Sequence, residues 1–237
     1  MSGIEAVAAL QDPMRRRLYE YVAAQDHEVS RNEAAAAVGA QRTLAAFHLD
    51  KLVDAGLLDA VFRRLTERTG PGAGRPAKLY RPAPGEHAVS IPPRDYRTPA
   101  GLLAEAAEAA GLDREAQEAA ARYGRELGAA LPRRPGLDEV AALLRARGYE
   151  PYLEEREEAA GGPVLRMRNC PFRALSDRFP PLVCGMNVAL IEGLLAGTTG
   201  LRARMDARPD RCCAVVEAAG GRAAPHPPVG ESKNNRT

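Results

Sequence analysis

The sequence is poor in the residues that build large aromatic cores, disulfide frameworks and membrane spans. It contains no tryptophan, 5% aromatic residues and only four cysteines among 237 residues. No run of eighteen apolar residues occurs, which predicts that no segment spans a membrane. The opening residues, MSGIEAVAALQDP, lack the basic-then-apolar layout of a secretory signal, so we expect a cytoplasmic location. In that reducing compartment, four cysteines favour metal or redox chemistry over structural disulfides.

The length and the 45% of apolar residues suffice for two domains, each with its own core. A proline-rich stretch, 83–99, has no helical period and predicts a linker between a first domain at 1–82 and a second at 100–217. The last stretch, 218–237, is rich in glycine, proline and polar residues and predicts a disordered tail. Both domains mix helical and strand patterns, so the predicted fold class is α+β.

Two short helices joined by a tight turn are predicted in the first domain. Ser30 and Glu33 have the spacing of a capping box, and the helix that they begin should end near Gly39. A second helix is predicted from about Gln41 to Ala55. Its apolar stripe consists of Ala45, Leu49, Leu52 and Val53, at i, i+4, i+7 and i+8.

The opposite face of this second helix carries the predicted base-reading residues. Recognition helices present their N-terminal residues to base edges in the major groove. Arg42 can donate two hydrogen bonds to guanine, Thr43 can bond a phosphate or a base, and Ala46 and Phe47 can contact a thymine methyl.

A basic hairpin follows, with strands predicted at Leu57–Leu65 and Ala77–Arg81 around a glycine- and proline-rich loop. From Arg63 to Arg81 the cations outnumber the single acid, Glu67, six to one: Arg63, Arg64, Arg68, Arg75, Lys78 and Arg81. Such a cluster suits phosphate contact. Arg63, Arg75 and Lys78 are the predicted DNA contacts, with Arg75 at the tip entering the minor groove.

This order of elements resembles the winged helix-turn-helix regulators related to the ArsR and DeoR families. The resemblance covers Asp12–Arg81 and is carried by DPMRRRLYEYV, LAAFHLDKLVDAGLL and GAGRPAKLYR. It implies a DNA-binding regulator, which we expect to act as a homodimer on an inverted-repeat operator in double-stranded DNA.

The second domain is predicted to begin with helix Gly101–Ala130, broken near Gly111. A stripe of Ala116, Ala120, Tyr123 and Leu127 on it predicts close helix packing, either between two subunits or within one. The further predicted elements are a helix at Leu137–Arg147, a hairpin at Tyr149–Glu155 and Val164–Arg168, helices at Pro171–Phe179 and Leu182–Ala196, and strands at Leu201–Met205 and Arg211–Glu217.

All four cysteines lie in this domain, as C-x13-C-x27-C-C: Cys170, Cys184, Cys212 and Cys213. There is no Cys-x-x-Cys pair, and the four histidines lie outside the Cys170–Cys213 span, so neither a zinc ribbon nor a Cys-His nucleophile pair is favoured. Cys170 precedes Pro171 at a predicted helix start, which should favour the thiolate together with the local excess of arginine. Cys184 also fits as a small buried core residue.

Cys212 and Cys213 are adjacent on a predicted strand, where neighbouring side chains point to opposite faces. Only one of them should then join Cys170 and Cys184, and we prefer Cys212.

The C-terminal part also resembles the SufR-type regulators, through CPFRALSDRFPPLVCGMNVALIEGLL and a late RCC. The resemblance spans roughly Asp12 to Val216. It implies a repressor whose cysteines bind an iron–sulfur cluster, with Cys170, Cys184 and one of Cys212 and Cys213 as ligands. Zinc or another thiophilic metal, a cluster-free thiol switch and a small-molecule sensor are the alternatives. A thiol-dependent enzyme would need a base and a pocket, for which no residue set is found, so we expect no enzyme.

Overall fold

The computed structural model describes residues 3–64, 76–156, 162–208 and 211–220. Its contacts divide the chain into two compact units, Met1–Arg94 and Asp95–Thr237. The division falls within the predicted linker 83–99. Helices and antiparallel sheets occur in both units, so the fold class is α+β, as predicted. Of the predicted tail, only 218–220 are described, and Ala218 there is the last residue of a strand.

In the described part of the first unit there are four helices and a small sheet. The helices are α1 (Gly3–Ala9), α2 (Pro13–Ala23), α3 (Arg31–Val38) and α4 (Arg42–Asp54). The strands are β1 (Val29–Ser30), β2 (Leu58–Arg63) and β3 (Ala77–Pro82), in the order β1-β3-β2 with both pairings antiparallel.

Local signals determine where these helices begin and end. Asp12 accepts hydrogen bonds from the backbone N–H groups of Met14 and Arg15, which fixes the start of α2. Ser30 and Glu33 form the predicted capping box at α3. Gly39 ends α3 in the left-handed region, with φ of 67°.

The predicted apolar stripe of α4 forms the centre of the first core. Ala45, Leu49 and Leu52 have no exposed surface. They pack with Leu18 and Val22 of α2, which are equally buried. Because one face of α4 is held in this way, its other face is fixed toward solvent.

The second unit places helices against one face of a four-stranded antiparallel sheet. The helices are α5 (Arg97–Ala109), α6 (Asp113–Gly128), α7 (Leu137–Arg145), α8 (Arg173–Ser176) and α9 (Pro180–Leu195). The strands are β4 (Pro151–Glu154), β5 (Val164–Met167), β6 (Leu201–Met205) and β7 (Ala214–Ala218), in the order β4-β5-β7-β6.

Helix α9 lies at the centre of this unit, and eight of its residues are buried. Ile191, Leu194 and Leu195 join the core that α7 and the sheet also supply. Glycines allow α6 to approach α9 closely, since a Cβ at Gly124 would lie 2.0 Å from the Leu190 carbonyl oxygen. The same holds at Gly128, where a Cβ would lie 2.0 Å from the Leu194 carbonyl oxygen. Three members of the predicted stripe pack within the subunit, namely Ala116, Ala120 and Leu127, whereas Tyr123 is 50% exposed.

Several predicted bounds differ from the structure, among them the start of α5 at Arg97 instead of Gly101, and two of the differences concern cysteines. The strand predicted from Arg211 begins only at Ala214, so Cys212 and Cys213 precede β7. The helix predicted from Pro171 begins only at Arg173 and has four residues. Cys170 therefore lies in the turn before α8 and not in the first turn of a long helix.

Candidate DNA interface and candidate thiol site

The exposed face of α4 carries the residues predicted to read bases. Gln41 is its N-cap, so Arg42 and Thr43 stand in the first helical turn, and both are exposed. Phe47 is 56% exposed, a large fraction for an aromatic side chain, whereas Ala46 is half-buried. The geometry leaves this surface available for a groove of DNA.

Lys78 of β3 is bound to the recognition helix α4. Its Nζ lies 2.6 Å from Oδ1 of Asp50, and the Tyr80 hydroxyl donates to the same oxygen at 2.8 Å. Burial acts to raise the pKa of Asp50, but the bonds from Lys78 and Tyr80 outweigh it and hold that pKa below its ordinary value. Asp50 thus stays charged and fastens α4 to the hairpin.

The other two predicted hairpin contacts, Arg63 and Arg75, differ from Lys78. The Nη2 of Arg63 lies 3.0 Å from Oε1 of Glu28, so its charge is paired. Arg75, predicted for the tip, lies outside the described residues. Their contacts with DNA stay predictions.

A groove between the helices and the hairpin adds residues that sequence reasoning missed. Arg31, Arg42 and Lys78 give this groove three cations, and no acid lines it. The full lining is Ser30, Arg31, Asn32, Arg42, Phe62, Pro76, Ala77 and Lys78. The N-termini of α3 and α4 border this groove, so backbone N–H groups and helix dipoles add to its positive potential. Arg31 and Asn32 follow the capping-box serine, a position that could have indicated them, whereas Phe62 gave no such signal.

The four cysteines come from separate places in the second unit. Cys170 lies between β5 and α8, Cys184 lies on α9, and Cys212 and Cys213 lie in the bend before β7. All four are free thiols, with Cys212 and Cys213 buried and the other two half-buried. Strand pairing and helix packing, not sequence proximity, bring them together.

Thiol contacts run through the whole set. Side-chain interactions couple Cys170 with Cys212, Cys212 with Cys213, and Cys213 with Cys184. The Sγ of Cys213 also lies 3.9 Å from the Cys184 carbonyl oxygen. The expectation that only one of the adjacent pair reaches the others is therefore wrong, because the pair lies in a bend, where the alternation of a strand does not apply.

The thiols of Cys170, Cys184 and Cys212 are held in their protonated form. The bond to Cys212, followed by burial, raises the pKa of Cys170. The Cys170 bond lowers the pKa of Cys212, but the neighbouring Cys213 and burial outweigh it and leave that pKa raised. Burial likewise raises the pKa of Cys184. The predicted low-pKa thiol at a helix N-terminus is thus wrong, since desolvation exceeds what the short α8 supplies.

Within the described ranges, no group of three or more His, Cys, Asp or Glu side chains has the arrangement of a metal site. The chemistry of the four sulfurs nevertheless fits a thiophilic metal or an iron–sulfur cluster, because soft thiolates are the ligands that both prefer. Loading would require the thiols to lose protons and to separate from one another.

A buried amide and a phenol support the sulfur of Cys212. Asn187 donates from Nδ2 to Cys212 Sγ at 3.2 Å, and Tyr149 donates to Asn187 Oδ1 at 2.5 Å. Asn187 is 1% exposed and Tyr149 3%. Sequence reasoning missed both, since neither forms part of a motif.

The arginines expected to surround the cysteines with positive charge are instead paired with acids. Arg166 is 1% exposed and binds both Glu154 and Asp206. Arg208 lies 2.9 Å from Glu154, and Arg204 lies 3.3 Å from Asp206. These three arginines and the two acids form an ion-pair network on the sheet.

Comparison with known proteins identifies one domain. Residues 10–61, which hold α2 to α4 and the start of β2, match the family model described as a helix-turn-helix domain. No curated protein and no solved structure matches the chain significantly. Among the described helices, none is long and apolar enough to cross a membrane.

Proposed function

We propose that this protein is a repressor whose DNA binding is controlled from its second unit. The proposal starts from the helix-turn-helix domain of the first unit, which supports a DNA-binding transcriptional regulator. The proposed control is an iron–sulfur cluster held by Cys170, Cys184, Cys212 and Cys213. The observation that supports it most is the meeting of four free thiols from three separate segments.

The four proposed ligands are presented by three different parts of the unit. Cys184 belongs to the central helix α9, while Cys170 and the Cys212–Cys213 bend flank the β5 and β7 strands. Such a cluster, when bound, supplies redox sensitivity and a cross-link between these segments. The chain contributes soft sulfur ligands, a partly apolar shell and a fixed amide at Cys212.

The DNA-binding half is proposed to act as a homodimer on an inverted repeat. Each subunit would insert α4 into a major groove, with half-sites about 10 base pairs apart. Arg42, Thr43, Ala46 and Phe47 would meet base edges. Arg31, Lys78 and the hairpin cations Arg63 and Arg75 would bind or steer the phosphates.

The link between the halves is proposed to pass through α9. This helix carries Cys184 and packs tightly on α6 through glycine contacts. Ligand gain or loss at the thiols would shift its packing and, in the dimer, the spacing of the two hairpins. Two states with different spacing would differ in operator affinity.

Anaerobic purification tests the cluster directly. We expect a brown protein with a sulfur-to-iron charge-transfer band and stoichiometric iron and sulfide. Serine at all four cysteine positions should remove the colour, while the far-ultraviolet circular dichroism keeps its native shape. A colourless wild type after reconstitution with iron and sulfide would refute the cluster.

A dithiol–disulfide switch is the second candidate, and the Cys170–Cys212 contact favours it. Oxidation would join the two sulfurs, with two electrons and two protons passing to a disulfide reagent such as oxidised glutathione. Non-reducing mass spectrometry of the metal-free protein distinguishes it, because a Cys170–Cys212 cross-link would appear only under this candidate. Zinc in place of iron would give the same four ligands in a colourless protein with stoichiometric zinc.

A further inference from the structure

The buried side chains of Tyr149, Asn187 and Cys212 form a hydrogen-bonded chain that ends at the Cys212 sulfur. Tyr149 is 3% exposed, Asn187 1% and Cys212 2%, so none of them has water as an alternative partner. Buried polar groups in native proteins are normally paired, and these groups pair with each other. Removing any member leaves a neighbour without its bond.

The direction of the bonds fixes which end of the amide faces the sulfur. Tyr149 donates its hydroxyl proton to Oδ1 of Asn187 at 2.5 Å. The amide Nδ2 therefore points away from Tyr149 and donates to Cys212 Sγ at 3.2 Å. The Tyr149 ring is itself held edge-on by Phe172, with centroids 6.3 Å apart.

Asn187 stands out on its own helix. It lies three residues after Cys184, so both share one side of α9. The other buried residues of α9 are apolar or glycine: Leu182, Val183, Ala189, Ile191, Gly193, Leu194 and Leu195. An apolar side chain would fill this position at a lower desolvation cost. Packing alone therefore does not explain why an amide is buried at Asn187.

We propose that Asn187, oriented by Tyr149, is a positioning residue that aims an N–H group at the Cys212 sulfur and stabilises it as a charged ligand. The ligand role of Cys212 rests on the proposed function. Hydrogen bonds to ligand sulfurs stabilise their negative charge and raise the reduction potential of a cluster, because the reduced state is the more negative one. Tyr149 acts through Asn187 by preventing the amide from turning its oxygen toward the sulfur.

The test compares variants of the full chain after anaerobic reconstitution with iron and sulfide. Asn187→Leu removes the donor, Asn187→Asp replaces it with a carboxylate oxygen, and Tyr149→Phe leaves the amide without its orienting bond. Ile191→Val is the matched control, since Ile191 is fully buried one turn further along α9.

Both Asn187 variants should lose their cluster about tenfold faster than the wild type under a chelator challenge. The cluster that remains should have a lower midpoint potential, with a smaller change in the same direction for Tyr149→Phe. The control should match the wild type in both measurements.

The outcomes separate this inference from the proposed function. A wild type that takes up no cluster defeats both. If the wild type takes up a cluster and the Asn187 variants have the same midpoint potential and the same resistance to chelator, the role of Asn187 alone is overturned. If the Asn187 variants fail to fold, Tyr149→Phe decides, and an unchanged potential there overturns the inference.

Discussion

Some of the cations proposed to face DNA already pair with acids of the same unit, and others do not. Lys78 is tied to Asp50 and Arg63 to Glu28. Arg42 has no ion-pair partner among the described residues, and its side chain lines the positive groove. A count of cations along the hairpin therefore overstates how many are available to phosphates.

Arg42→Ala should weaken binding to a selected DNA duplex by about 1–3 kcal/mol, because the arginine is placed for a bidentate contact with guanine. Fluorescence anisotropy at fixed salt measures the change. Arg114→Ala is the matched control, since Arg114 is an exposed arginine of the second unit, paired with Glu115 and Glu118. Equal affinities of wild type and Arg42→Ala would contradict the assigned reading face.

Glu154 makes the second unit sensitive to acid. Burial acts to raise its pKa, but the bonds from Arg166 and Arg208 outweigh it and lower the pKa from 4.5 to about 2. A depressed pKa contributes stability that is complete above pH 4.5 and is lost as the pH falls toward 2. Glu154→Gln should therefore flatten the fall in unfolding free energy over that window, as followed by urea titration at several pH values. An unchanged acid slope would exclude Glu154 as its source.

At the scale of elements, local signals specified the helices and long-range packing specified the thiol site. The Asp12 cap, the Ser30–Glu33 box and the α4 stripe each lie within a few neighbouring residues, so they could be predicted from the sequence. Strand β1 has two residues and exists through its pairing with β3, which no periodicity indicates.

The contacts of the cysteines could not be predicted for the same reason. These contacts depend on where β7 begins. In a strand that began at Arg211, the side chains of Cys212 and Cys213 would point to opposite faces of the sheet. Because β7 begins at Ala214, both cysteines lie in the bend before it. The bonds of Asn187 with Tyr149 and Cys212 span 38 and 25 positions of the chain. Such bonds follow from the packing of α9 on the sheet.

The close contact of α6 with α9 gives a test at this scale. Gly124→Ala would place a Cβ 2.0 Å from the Leu190 carbonyl oxygen, so the helices must separate. We expect a loss of about 1–3 kcal/mol in unfolding free energy, the usual cost of overpacking. Gly197→Ala is the control, because nothing lies within 4 Å of its Cβ position. Chemical denaturation measures both, and equal stability of the two variants would refute the contact.

At the scale of the whole molecule, one unit supplies the DNA surface and the other a buried thiol site. The helix-turn-helix domain accounts for where the protein acts, and its predicted surface is exposed and positively charged. We propose that the four cysteines control DNA binding. The raised pKa values of Cys170, Cys184 and Cys212 oppose metal loading until their protons are released.

The dependence of DNA affinity on the state of the cysteines tests this account most directly. Fluorescence anisotropy, under anaerobic conditions, would compare a selected DNA duplex with cluster-loaded protein, with chelator-stripped protein and with the variant carrying serine at all four cysteine positions. We predict a difference of at least about fivefold in Kd between loaded and stripped wild type, the lower end of ordinary allosteric coupling. The serine variant should bind with one affinity under both treatments. Equal affinities for loaded and stripped wild type would contradict control of DNA binding by the cysteines.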